Sequence, residues 1–194
     1  MLVEGIKSRP VYEPLAARPG TMNLMVADAE GAAAILDLAA SAPPGFFSRA
    51  RIIYIPREAS GRYEEALKAL EPFSLYVGPT VSAAIPRLRQ ELATAKMGTQ
   101  IYLAGTEGLV GQAMVVALEA GVDHASIQRE HRGSEERRVQ CVHCKGITDH
   151  VTTQPAKCEH CGVMMLVRDH YSRRIGAFQG VCIDAEEPGT APEP

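Results

Sequence analysis

The stretch QIYLAGTEGLVGQAMVVALEAG, from Gln100 to Gly121, decides the fold class. Its first six residues are a nearly continuous apolar run ending in glycine. The rest is an Ala-, Val- and Leu-rich segment of helical length that stops at Gly121. An apolar run without alternation is what a strand buried on both faces requires, and a helix directly after it is half of a βαβ crossover. The same grammar repeats upstream. Met22–Ala27 is a short apolar run followed by AEGAAAILDLAASA, which Pro43-Pro44-Gly45 closes. Arg51-IIYIP ends at Pro56, and Gly61-RYEEALKAL follows with Tyr63, Ala66, Leu67 and Leu70 at helical spacing, stopped by Pro72. Ser74-LYVG leads into Ser82-AAIPRLRQELATAK, a helix that must accommodate Pro86. Four strand–helix pairs in succession predict a doubly wound α/β domain with a mostly parallel sheet over residues 21–130.

Composition agrees with a globular chain. Of 194 residues 46% are hydrophobic and 22% charged, and 20 Lys+Arg against 23 Asp+Glu leave a formal charge of −3. That balance argues against a nucleic-acid binder, which needs a positive excess to neutralise phosphates. No apolar run approaches the roughly 20 residues that span a bilayer. The opening MLVEGIKSRPVYEP lacks a basic segment followed by an apolar one, so no secretory signal is expected, and a cytoplasmic location is. Residues 1–20, with Pro10, Pro14, Pro19 and Gly20, read as an extended arm.

Beyond residue 130 the composition changes. Gln128-REHRGSEERRVQ holds four arginines and three glutamates, with Val139 its one clearly apolar residue, and reads as a solvated linker centred on 131–138. A four-cysteine pattern follows: Cys141-Val-His-Cys144, thirteen residues, then Cys158-Glu-His-Cys161. Each Cys-x-x-Cys knuckle can turn two thiolates to one side, and two knuckles together enclose a tetrahedral ion. In a reducing compartment this clustering points to a metal rather than to disulfides. A module of about residues 139–183 is too small to fold on apolar burial alone, so the metal would also be its fold. Four thiolates suit zinc and mononuclear iron alike, and spacing does not choose between them. His143 and His160 sit inside the knuckles, where their rings are expected at exposed tips available to a partner. His124, His131 and His150 read as surface residues, and Cys182 between Val181 and Ile183 as a small buried hydrophobe.

Val163–Val167 is an apolar strand, and Arg168, Asp169, His170, Tyr171, Ser172, Arg173 and Arg174 form a dense polar patch. Such arginines either pair with carboxylates or dock a partner. The tail from Asp184 to Pro194 is acidic and Pro-rich, which predicts disorder in isolation.

The segment Ile101–Glu130 resembles the last strand and helix of the nicotinamide-binding domain in ferredoxin–NADP reductase-like flavoenzymes. Here the turn is Ala104-Gly105-Thr106-Glu107-Gly108, without the cysteine that family places near the nicotinamide. The first βα turn, Val26-Ala27-Asp28-Ala29-Glu30-Gly31, lacks the pyrophosphate-binding glycine cluster and carries two acids that would repel phosphate. Gly78-Pro79-Thr80 and Gly105–Gly108 read as ordinary βα turns. No flavin-binding barrel precedes the domain, and no hydrolase motif is present, so a reductase fold reused as a scaffold is expected. The cysteine module resembles a rubredoxin or zinc ribbon. As a whole, and most specifically in the knuckles and in DHYSRRIGAFQGVCIDAEEPG (Asp169–Gly189), the chain resembles the small accessory subunits of bacterial haem-dependent dimethylamine monooxygenases. The resemblance implies a multi-subunit enzyme that uses O2 and NADPH to convert dimethylamine to methylamine and formaldehyde. Haem would lie on a catalytic partner, and flavin with a 2Fe–2S cluster on a reductase partner. It assigns no catalytic residue to this chain, makes Cys141, Cys144, Cys158 and Cys161 the metal ligands, and raises the iron option while leaving zinc open.

Overall fold

The computed structural model describes residues 10–57 and 61–187. The expectations for the start of the arm and for the end of the acidic tail, 1–9 and 188–194, lie outside the described residues. Among the described residues the chain divides into two compact units, Tyr12–Ser134 and a second that comprises Glu135–Glu187.

In the first unit β1 (Met22–Asp28), β2 (Ala50–Ile55), β3 (Ser74–Val77), β4 (Thr99–Gly105) and β5 (Ile127–His131) form one parallel sheet in the order β3-β2-β1-β4-β5. Successive residues of the inner strands face opposite layers. Leu24, Val26, Ile53, Ile55, Ile101 and Leu103 pack against α3 (Val81–Ala93) and α4 (Glu107–Glu119). Met25, Ala27, Ile52, Tyr54, Tyr102 and Ala104 pack against α1 (Gly31–Ala39) and α2 (Glu64–Lys68). The sheet is therefore covered on both faces, the doubly wound arrangement expected of continuous apolar runs. Pro86 lies inside α3, whose start is fixed by Thr80 Oγ1 accepting the Ala83 N–H at 3.2 Å. No helix among the described residues is long and apolar enough to cross a membrane.

The polar stretch 128–140 differs from its expectation as a solvated linker, because it contributes to two strands. β5 is the sheet edge, and its polar side chains are held by the arm. The Gln128 amide accepts from Ala16 N–H at 2.9 Å and donates to Ala16 O at 2.8 Å, and a Glu130 carboxylate oxygen accepts the Leu15 N–H at 2.8 Å. Backbone joins in, with Glu13 N–H donating to Arg129 O. The described part of the arm thus serves in place of a sixth strand and covers an edge that would otherwise invite aggregation.

The second unit has β6 (Arg137–Cys141), β7 (Ile147–Val151), β8 (Ala156–Lys157), β9 (Met164–Ser172) and β10 (Ala177–Cys182), in the order β7-β6-β10-β9-β8. β6 and β10 run parallel and the other pairs antiparallel. Its core is small: Val139, Val151, Ala156, Met165, Val167 and Phe178, with Cys141 and Cys158.

Candidate metal centre

The first knuckle joins β6 to β7, the second joins β8 to β9, and the two share one hydrogen-bond plan. Cys141 N–H donates to Gly146 O and Lys145 N–H to Cys141 O; five residues span the equivalent pair in the second, Cys158 N–H to Val163 O and Gly162 N–H to Cys158 O. The residue after the second cysteine must enter the left-handed region in both, with φ +77° at Gly162 and +64° at Lys145. Lys145 tolerates this with its Nζ donating to Val142 O at 2.7 Å.

These turns bring Cys141, Cys144, Cys158 and Cys161 together, all four Sγ atoms lying within 4.8 Å of one another. Cys141 and Cys161 are 3.8 Å apart, and Cys144 and Cys158 3.7 Å. A tetrahedron with metal–sulfur bonds of about 2.3 Å has edges of about 3.8 Å, so the donor set has the dimensions of a four-thiolate ion site. A disulfide would need about 2.05 Å. Cys141 and Cys158 are buried, Cys161 is half-buried and Cys144 is exposed, so the site opens to solvent on one side.

The local field prepares one thiolate. Burial works against ionisation of Cys158, but the N–H groups of Cys161 and His160 and the thiols of Cys161 and Cys144 outweigh it and bring Cys158 down to about 6. At Cys161 the Val163 N–H favours the thiolate, yet desolvation and hydrogen bonds to Cys144, Cys158 and Cys141 prevail, and its thiol is pushed up. Gly146 N–H points at Cys144 Sγ from 3.4 Å, the kind of donor that tunes a bound metal.

His143 and His160 both stay exposed, as the sequence suggested, but the His160 ring is also tied down. Its Nε2 lies 2.8 Å from Ile147 O, and its ring covers Gly146 so closely that a Cβ there would fall 2.4 Å from Cδ2. The ring ties the second knuckle to the first. His131 stacks on Tyr12 and His150 Nδ1 meets Glu136 Oε2 at 2.8 Å. Cys182 is half-exposed rather than a buried hydrophobe, and its thiol, donating to Asp184 Oδ1 at 3.1 Å, is pushed up by that bond.

The other place where chemistry could gather is the switch point of the parallel sheet, between β1 and β4. Asp28, fully buried at the end of β1, accepts from Thr106 N–H and from Thr106 Oγ1, both at 2.8 Å, and pairs with Arg57 Nε at 2.8 Å. Gly105, at φ +130°, leaves the room: a Cβ there would sit 1.9 Å from Asp28 Oδ1. Glu30 precedes α1 without a side-chain capping bond and is held by Arg62 at 3.1 Å and by the Tyr63 hydroxyl. Tyr54 beneath them is held un-ionised up to about 12 by burial, reinforced by Tyr63, Glu30 and Asp28. Two carboxylates thus stand at the first βα turn, where their charge would repel a phosphate. Sequence reasoning recognised their charge but not their structural use.

Fold and site together define an α/β protein that carries a four-cysteine ribbon and whose sheet crest is closed by its own side chains. Residues 4–127 match the N-terminal domain, and residues 138–181 the C-terminal domain, of the family described as dimethylamine monooxygenase subunit DmmA-like. The chain belongs to this DmmA-like subunit family. It is 34% identical over 116 residues to the heme-dependent oxidative N-demethylase delta subunit of Ectopseudomonas mendocina (strain ymp), a match covering 60% of this chain and 66% of that relative. Among solved structures, full-length CYP116B46 from Tepidiphilus thermophilus aligns with a TM-score of 0.42 at 19% identity, over 67% of this chain and 18% of that one, too weak a likeness to bear on fold or function.

Proposed function

We propose that this chain is a non-catalytic subunit of a haem-dependent oxidative N-demethylase acting on dimethylamine with O2 and NADPH, and that it contributes one iron held by Cys141, Cys144, Cys158 and Cys161. The observation that carries this reading is the four-sulfur cage, with its 3.7 and 3.8 Å edges, in a chain whose relative is named as a subunit of such an enzyme. Iron in that cage would supply one-electron transfer between its ferrous and ferric states without a change of ligands. The chain's own part is to hold four thiolates in fixed positions, to aim backbone N–H groups at them and to expose Cys144 on the side a partner could approach. In this reading the haem lies on a catalytic partner and the flavin and 2Fe–2S cluster on a reductase partner. The α/β domain of residues 21–130 is the scaffold, and the ribbon of 139–183 is the working module in a cytoplasmic assembly.

A second reading, a structural zinc ribbon without redox activity, is favoured by the closed donor set: four protein sulfurs leave no open coordination position. Elemental analysis and a visible spectrum of anaerobically purified protein separate the two. The expected result is one iron per chain and a visible absorption of the oxidised protein that bleaches with dithionite. Colourless protein with one zinc per chain would refute the electron-transfer role and leave the scaffold.

A further inference from the structure

The two knuckles carry a histidine at the same place, His143 before Cys144 and His160 before Cys161, yet only one of them is held. His160 Nε2–H donates to Ile147 O at 2.8 Å, and the preceding Glu159 N–H donates to Thr148 Oγ1 at 3.2 Å. Both acceptors lie on β7, the strand that leaves the first knuckle. His143 makes no such bond among the described residues.

A single residue separates the two cases. In the shared plan of the knuckles, the residue two places after the second cysteine aims its N–H at that cysteine: Gly146 at Cys144 Sγ from 3.4 Å, and Val163 at Cys161. The first knuckle thus has glycine where the second has valine. A Cβ on Gly146 would fall 2.4 Å from Cδ2, 2.6 Å from Cγ and 3.0 Å from Cβ of His160, so the imidazole fills the volume that a side chain here would claim. Gly146 is not required by its backbone, because its φ lies outside the left-handed region; it is required by the close approach of this ring. Cys144, which accepts the Gly146 N–H, is the exposed sulfur of the four and so the ligand that solvent or a competing chelator reaches first.

We propose that His160 is a positioning residue that latches the first knuckle over the ion: by holding Gly146 and Ile147 it keeps the Gly146 N–H on Cys144, and so slows the opening of Cys144 through which the ion is lost or exchanged. The proposal rests on the four-cysteine ion site of the reading above and applies to iron and zinc alike. The latch works across the knuckles, so the buried pair of ligands on one side restrains the exposed ligand on the other. Partners that orient a metal ligand from behind typically change metal affinity about 10–100-fold. The His160 ring is exposed, and water competes for Ile147 O once the bond opens, which places its effect near or below the lower end of that range.

The test uses the full chain loaded with cobalt(II), whose four-thiolate complex is coloured. Release to excess EDTA is followed as loss of that colour, and mass spectrometry maps which cysteine iodoacetamide alkylates first in the loaded protein. In the wild type Cys144 should react first. His160→Ala should release cobalt about fivefold faster and speed alkylation of Cys144 over that of Cys158. His160→Gln, whose amide N–H can reach the same carbonyl, should restore most of the slow release. Gly146→Ala should reproduce the fast release by pushing the ring aside, and should add little to His160→Ala, where the ring is already gone. Where His160→Ala takes up no cobalt, Gly146→Ala and His160→Gln carry the comparison with the wild type. Release from His160→Ala at the wild-type rate, release from His160→Gln as fast as from His160→Ala, or a Gly146→Ala effect as large without the ring as with it overturns the latch and leaves the ion site standing. Alkylation of all four cysteines together in the wild type also overturns it, since the ion would then leave by unfolding of the ribbon. A wild-type chain that takes up no cobalt overturns the ion site and the latch with it.

Discussion

Removing the ion should unfold the ribbon and leave the α/β domain intact. The ribbon core contains only five side chains larger than alanine besides its cysteines: Val139, Val151, Met165, Val167 and Phe178. At about 1.5–3 kcal/mol each, their burial gives on the order of 10 kcal/mol before any conformational entropy is charged against it. Structural metal binding to four-ligand sites of this kind is worth about 10–16 kcal/mol, as much as that whole core. A folded segment of this size ordinarily keeps a net stability of only a few kcal/mol. Loss of the ion therefore exceeds what the ribbon has in reserve, whereas the first unit holds two separate layers of buried side chains that do not involve the cysteines. The perturbation is a strong chelator, or Cys158→Ala, which deletes a ligand that is only 1% exposed. The assay is amide hydrogen exchange read by mass spectrometry on the full chain. Peptides from β6, β9 and β10 should lose their protection, while those from β1 and β4 exchange as in the untreated protein. Metal-free protein whose ribbon amides remain protected would refute the argument that the ion makes this module.

Acid should also govern loading. Cys158, held down at about 6, is a thiolate above that pH, so at neutral pH metal binding releases fewer protons than the four of a fully protonated site. The count, read by calorimetry in buffers of different ionisation enthalpy, should rise as pH falls through about 6, and affinity should fall with it. Lys145→Gly should stabilise the loaded ribbon by up to about 0.5 kcal/mol by relieving the left-handed backbone, while Gly162→Ala should cost about 1 kcal/mol, both measured as shifts in thermal midpoint. Gly31→Ala should destabilise the α/β domain by about 3 kcal/mol in chemical denaturation, because the new methyl would lie 2.2 Å from Ala104 O, a backbone atom that cannot swing aside.

Much of this was legible in the residues, for identifiable reasons. β1, β2 and β4 announce themselves because a strand buried on both faces has little room for polar side chains, the half-buried edge strand β3 by its apolar Leu75-Tyr76-Val77 run, and the knuckles because thiolate geometry fixes their spacing. β5 did not, since its sequence Ile127–His131 is mostly polar. Its polar groups are satisfied by the arm, a contact distant in sequence that composition does not reveal. β6 hid differently: Val139 and Cys141 point inward at a spacing of two, but Arg137 and Arg138 before them and Gln140 between them make the run look like a linker. The one available signal was that alternation. The exposure of His160 was legible, but not its bond to Ile147 O, because that carbonyl lies on β7, thirteen residues away in sequence.

The crest of the α/β sheet is filled by the chain's own side chains. In a doubly wound sheet the crevice at the switch point exists because neighbouring crossovers diverge there, and it must be filled by ligand, water or side chain. Here Asp28 fills it, satisfying the Thr106 N–H at the start of α4, and Arg57 neutralises the buried carboxylate. Gly31 and Gly105 survive at this crest, but in the service of packing: Gly31 lets α1 approach β4, and Gly105 makes room for the carboxylate. An anionic ligand would have to displace a buried, hydrogen-bonded ion pair and then face Glu30 as well. Removing Asp28 would not simply open a site, because Arg57 would lose this carboxylate and Thr106 its acceptor, a cost of about 3–5 kcal/mol for a buried pair, reduced here by the partial exposure of Arg57. The same three residues that close the crevice thus tie the end of β1 to the turn after β4 across the centre of the sheet.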